Sequence, residues 1–172
     1  GGAAVIAWAP DGAVRWVTAL GEPRATIGAL APSESGVVAV GTTADDHLYA
    51  AQVDGDGVVR WRWRSSLRGR GFAAARDGDD VVVGGFLVDS AGVLAGAPVS
   101  VTRSTGVVVR LAGQTGEPVA ATPYPELHNV YALAVRPRAR RARPQRSRSR
   151  APHRWRRPRR VVARSVARGD TD

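Results

Sequence analysis

The chain has 172 residues with no Cys, no Met and no Lys, which excludes a disulfide framework, a thiolate metal site and a thiol nucleophile. Its net charge of +10 is unevenly placed: residues 1–135 hold 10 Arg against 13 Asp and Glu, a net of −3, and residues 136–172 hold 15 Arg against 2 Asp, a net of +13. A basic balance therefore describes the end of the chain and not its body, and no apolar run reaches the roughly 18 residues that span a bilayer as a helix.

All 25 basic residues are Arg, with one Asn and two Ile in the whole sequence. The scarce types are largely those with A/T-rich codons, so a gene of high G+C content is expected. "GGAAVIAWAP" at the start lacks the basic region of a signal peptide. Without an initiator Met, the chain is expected to be a fragment or a processed product.

In chain order, "AVIAWAP" (4–10) reads as a strand and "PDGAVRW" (10–16) as a tight turn into the next. Pro presets φ, Asp bonds its own backbone and Gly takes a positive φ. A small-residue apolar run, "ATIGALAP" (25–32), and a valine strand ending in Gly, "GVVAVGTT" (36–43), follow. The same series then returns: "LYAAQVDG" (48–55), "DGVVRW" (56–61), "RGFAAARD" (70–77) and "DVVVGGFL" (80–87). "DGAVRW" and "DGVVRW" are 45 residues apart. A third copy, "VVVRLAGQTGEPV" (107–119) with "NVYALAVRP" (129–137), is displaced further by an insertion at about 88–106. Short β-rich runs bounded by Asp-Gly and similar turns predict antiparallel strands, four to a unit, and almost no helix in residues 1–135.

A four-stranded unit recurring at about 45 residues predicts β-propeller blades, each too small to bury its faces without a neighbour. The string D-x-D-G-x-V-x-W, complete in "DGDGVVRW" (Asp54 to Trp61) and shortened in "APDGAVRW" (Ala9 to Trp16), resembles the bacterial β-propeller repeats of the SBBP and pyrroloquinoline-quinone-like type. The resemblance covers about residues 3–137. It implies an all-β fold, an incomplete β-propeller of about two and a half blades over residues 1–136, as a fragment of an exported repeat protein located in the extracellular space or the cell envelope. It implies a structural or interaction module without catalytic residues, cofactor or metal, engaging protein or glycan through propeller loops. The alternative is the propeller part of a pyrroloquinoline quinone-dependent dehydrogenase. A closed propeller needs about 4–8 blades, and missing sequence is expected to supply them.

Candidate chemistry in the body is sparse. Asp45, Asp46 and His47 cluster in one interstrand turn, and His128 and His153 stand far from them in sequence. "DGDG" (54–57) has the first two acidic positions of a calcium loop, but Val58 and Ser65 stand where further ligands belong, so a hairpin turn is the better reading. "GRGFAA" (69–74) has phosphate-loop glycines without the Lys or the helix, and Gly69 and Gly71 are read as strand-turn glycines. In "VVRWRWRSS", a period of two places Val59, Trp61 and Trp63 on one face and Arg60, Arg62 and Arg64 on the other. The Arg face meets solvent or acidic turns, or forms a patch for polyanions. The insertion is either a surface for specific binding or an extra hairpin.

The repeat breaks after "VYALAVRP", where a Gly/Val-rich element is due and "RARRARPQRSRSR" stands instead. An out-of-frame reading of a G+C-rich Gly/Asp/Val segment yields Arg codons. Residues 137–172 are thus expected to be an Arg-rich, disordered, low-complexity tail of frameshift origin. If the tail is genuine, its partner is nucleic acid or another polyanion, bound without specificity through phosphate neutralisation, with Trp155 available for stacking.

Overall fold

The computed structural model describes residues 1–135 and 162–164, and these contain strands and no helix. The strands are β1 (Gly2–Trp8), β2 (Val14–Pro23), β3 (Thr26–Pro32), β4 (Gly36–Thr42), β5 (His47–Asp54), β6 (Val59–Asp77), β7 (Asp80–Leu87), β8 (Ser90–Leu94), β9 (Ala97–Val101), β10 (Thr105–Leu111), β11 (Pro118–Tyr124), β12 (Ala132–Ala134) and β13 (Val162–Arg164).

Seven of them form one antiparallel sheet in the order β11-β10-β7-β6-β5-β4-β3. Its centre is β6, 19 residues long. The first part of β6 pairs with β5 and the second with β7. The chain thus runs as the last strand of one four-stranded unit, β3-β4-β5-β6, straight into the first strand of the next, β6-β7-β10-β11. The β1–β2 hairpin carries "DGAVRW" at its turn, as the β5–β6 connection carries "DGVVRW", so it corresponds to the last two strands of a preceding unit. β12 stands where the first strand of a following unit belongs. The architecture is an incomplete, all-β, propeller-like array of four-stranded antiparallel units, and the sequence repeat is offset from the structural unit by half a blade.

The core lies between the units. Val38, Val40, Leu48, Ala50 and Trp61 of the first complete unit meet Val81, Val83, Val107, Val109 and Leu111 of the second. On the first unit's other face, Tyr49, Ala51 and Val53 meet Val5 and Leu20 of the β1–β2 hairpin. The second unit's far face holds Val82 and Val108 under Val130, with Leu133 of β12 packed beside them. Nearly every valine of β4, β7 and β10 is inaccessible, because both faces of each sheet are covered. That explains apolar runs without alternation.

Two expectations are corrected, and a third, left open between two readings, is decided. "RGFAAARD" is no separate strand, and Gly69 and Gly71 are not at a turn. They lie inside β6, where a Cβ at Gly69 would stand 2.0 Å from the Phe86 carbonyl oxygen and one at Gly71 2.7 Å from that of Gly41. Their glycines serve close backbone approach rather than chain reversal. Second, Val59 does not share a face with Trp61: Gln52 lies opposite Trp61 but Val53 lies opposite Val59, so Arg60 is the extra residue of a β-bulge. The bulge turns Val59 to the side of Ala51 and Val53. Third, the insertion is an added hairpin, β8–β9, closed by Ala95 and Gly96 with φ of 51° and 76°, a two-residue turn with both φ positive. It folds Leu94 and Val99 onto the main core.

The Arg-rich tail expected at 137–172 lies outside the described residues, except that Val162–Arg164 pair antiparallel with Ala132–Ala134.

Candidate functional site

The β1–β2 hairpin and the first complete unit are each fastened to the unit that follows by one Trp. Trp16 Nε1 donates to the Gly55 carbonyl oxygen and Trp61 Nε1 to that of Gly113, both at 2.9 Å. The rings lie over Gly57 and Gly116, whose φ values are +84° and +74°. A Cβ on Gly57 would meet Trp16 at 2.8 Å, and one on Gly116 would meet Trp61 at 2.4 Å. The turn glycine therefore has two duties, a left-handed φ and a flat seat for an indole. In the third copy Ala120 lies opposite Arg110 as Trp61 lies opposite Gln52, so the second complete unit has no such Trp.

The acidic residues singled out from sequence serve turns and guanidiniums. Asp54, only 4% exposed, accepts from the backbone N–H groups of Val58 (2.9 Å) and Asp56 (3.0 Å) and from Arg60 Nε (2.6 Å). Its oxygens are committed, and the "DGDG" segment is a hairpin turn. Asp45 accepts from the Thr43 hydroxyl at 2.7 Å and is paired with Arg64. Asp46 is bonded by Arg70 Nε at 2.9 Å. His47 Nδ1 lies 3.0 Å from the Ser65 carbonyl oxygen, and its Nε2 is 3.8 Å from Asp45. No group of three or more His, Cys, Asp or Glu among the described residues is arranged to hold a metal ion. Arg60 and Arg64 thus meet acidic turns, and Arg62 Nε donates to the Leu20 carbonyl oxygen at 2.5 Å.

These contacts set an acid dependence. The Val58 N–H, foremost among several donors, holds the Asp54 carboxyl below the usual carboxylate range, and the Thr43 hydroxyl does the same for Asp45. A carboxyl whose folded pKa is depressed stabilises the fold above its unfolded value of about 3.9, and that contribution is lost as pH falls through the folded pKa. Urea midpoints measured from pH 7 to pH 3 are expected to fall at the acid end, and less steeply in Asp54→Asn. An identical slope in the variant would show that Asp54 contributes nothing to acid lability.

Residues distant in sequence form a cleft of about 290 Å³. Arg24, Thr26 and Gly28 line it at the start of β3, Thr42, Thr43 and Asp46 after β4, and Arg70, Gly71 and Phe72 in the middle of β6. Two stretches noted in the sequence, "GRGFAA" and the Asp45–His47 turn, contribute to this lining, but no motif joins them to Arg24. Arg24 follows a strand-ending Pro, and nothing in its neighbourhood signals a ligand.

A second feature is an exposed apolar surface on the β1–β2 hairpin: Ile6, Trp8, Val14 and Val17 are 41–62% exposed. One repeat later the same positions are Ala51, Val53, Val59 and Arg62. Ala51 and Val53 are fully buried there beneath the inner face of this same hairpin.

No protein-family model and no curated protein matches the chain. Among solved structures, the chain is similar to BamB from Moraxella catarrhalis at 19% identity, with a TM-score of 0.34 over 68% of this chain and 47% of that one. The chain spans about half the length of that protein, and a likeness so slight carries no argument. The propeller-like fold rests on the strands themselves, their pairing and the repeated Trp contacts between units.

Proposed function

We propose that the chain is a non-catalytic interaction module, part of an exported bacterial β-propeller repeat protein, which engages protein through the faces and loops of its blades. The observation that carries this reading is the apolar surface of Ile6, Trp8, Val14 and Val17. Two of its four repeat counterparts, Ala51 and Val53, are covered by protein, and an exposed apolar patch of this kind marks a docking surface. No helix among the described residues is long and apolar enough to cross a membrane.

The test is the double variant Ile6→Lys with Val17→Lys, whose side chains lie opposite each other across the hairpin. The parent chain is expected to associate in a concentration-dependent way in analytical ultracentrifugation. The variant is expected to be at least about ten-fold less prone to do so, with the same β-sheet circular dichroism. Association that is undiminished in the variant would place the sticky surface elsewhere and sink the reading.

A further inference from the structure

The cleft at the start of β3 has a feature that packing alone does not require. Arg24 has φ of +56°, a left-handed conformation in which Gly is at ease and a long side chain is disfavoured. The position is held by two backbone bonds, Arg24 N–H to the Gly1 carbonyl oxygen at 3.1 Å and Ala25 N–H to that of Glu22 at 3.3 Å. The side chain lies exposed at the cleft and has no partner among the described residues. A disfavoured backbone carrying an unpaired guanidinium into a cleft is an outlier from which function is properly inferred.

The rest of the lining has the same character. Arg70 is held in place by Asp46 through Nε at 2.9 Å and through Nη2 at 2.8 Å. Asp46, the one carboxylate of the lining, is further approached by Arg68 at 3.9 Å, so positive charge is in excess here, in a body whose net charge is −3 over residues 1–135. Thr26 and Thr42 line the cleft with hydroxyls that bond to nothing among the described residues. Gly28 and Gly71 complete the lining where backbones pack closely, a Cβ on Gly28 standing 3.0 Å from the Gly71 carbonyl oxygen. Free and anchored guanidiniums beside unpaired hydroxyls are the donors that recognise a carboxylate or a phosphate.

We infer that this cleft is a binding site for a small organic anion carrying a carboxylate or phosphate group, with Arg24 as the free arm that closes on it and Arg70 as the fixed one.

The test is a titration of the ¹⁵N-labelled full chain by NMR with two probes, inorganic phosphate and succinate. Saturable shifts are expected at the Thr42, Thr43 and Gly71 amides, and the tighter probe names the chemical class. Arg24→Gly removes the arm and relieves the backbone at once. It is expected to weaken binding about ten-fold or more while the melting temperature stays the same or rises. A structural role for the Arg24 side chain would lower the melting temperature instead. The inference is overturned if neither probe gives saturable shifts at these amides, if the shifts occur only in the C-terminal arginines, or if Arg24→Gly binds as the parent does.

Discussion

Replacing Trp61 with Ala is expected to lower the unfolding free energy by about 3–5 kcal/mol, the usual cost of deleting a buried aromatic side chain. Trp61 is 7% exposed and belongs to the cluster that joins the two complete units. Its loss removes apolar area, leaves a hole over Gly116 and strands the Gly113 carbonyl that its Nε1 bonds. Trp16 makes the equivalent bond but is only partly buried, so Trp16→Ala is expected to cost less. Gly116→Ala attacks the same contact from the other side, placing a Cβ inside the indole and a Cβ-bearing residue at φ +74°. Because the two sites share one contact, the double variant Trp61→Ala with Gly116→Ala should cost less than the sum of the singles. Urea denaturation followed by circular dichroism measures all three. A loss under about 1 kcal/mol for Trp61→Ala would mean that the units are held together by their valine faces alone.

The repeat was legible because it is written in residues with narrow uses. Asp-Gly marks a hairpin turn wherever it occurs, and a Trp five residues beyond the Asp recurs at the same offset. What was not legible is where a unit begins. The motif falls at the turn between the third and fourth strands of a unit, so a count from motif to motif parts the last strand of every blade from its other three. The length of β6 was hidden for a related reason. Glycine reads as a chain breaker when turns are the expectation, yet at Gly69 and Gly71 it permits the close approach of Phe86 and Gly41 within a continuous strand. Period-two reasoning also failed at one residue, since a single bulge at Arg60 moves Val59 to the opposite face. Alternation alone cannot show that.

The cleft is the clearest case of a site that sequence reasoning misses. Its residues come from three segments, at 24–28, 42–46 and 70–72, brought together by sheet pairing and the stacking of units. Asp46 is legible as part of an acidic turn and Arg70 as part of "GRGFAA", whose phosphate-loop reading fails for want of a Lys and a helix. Arg24 could have been suspected on one ground, that a large residue occupies the corner after Gly21-Glu22-Pro23, where a small one is the usual choice. The DGDG and His47 groups drew attention because their spacing mimics ligand sets, and the structure shows their donors and acceptors spent on turns.

The second large effect is expected at Asp77, which closes the β6–β7 turn. Asp77 is 7% exposed and pairs with Arg110 of β10, which also reaches Asp80 at 3.3 Å. Breaking a buried pair from one side costs about 3–5 kcal/mol because an uncompensated charge stays behind. Arg110, with 21% of its side chain exposed, keeps some contact with solvent and with Asp80, so Asp77→Ala is expected to fall below that range, at about 2–3 kcal/mol. Arg110→Met should cost at least as much, since it leaves two carboxylates facing each other across the turn. Removing both Asp77 and Arg110 should then recover part of the loss, because the desolvated charge has gone with its partner. The cycle is read from urea midpoints at low and high salt. Screening should weaken the exposed Arg64–Asp45 pair more than this one. If the double variant is as unstable as the sum of the two singles, the pair is not coupled, and the turn is held by its backbone and Gly78, at φ +70°, instead.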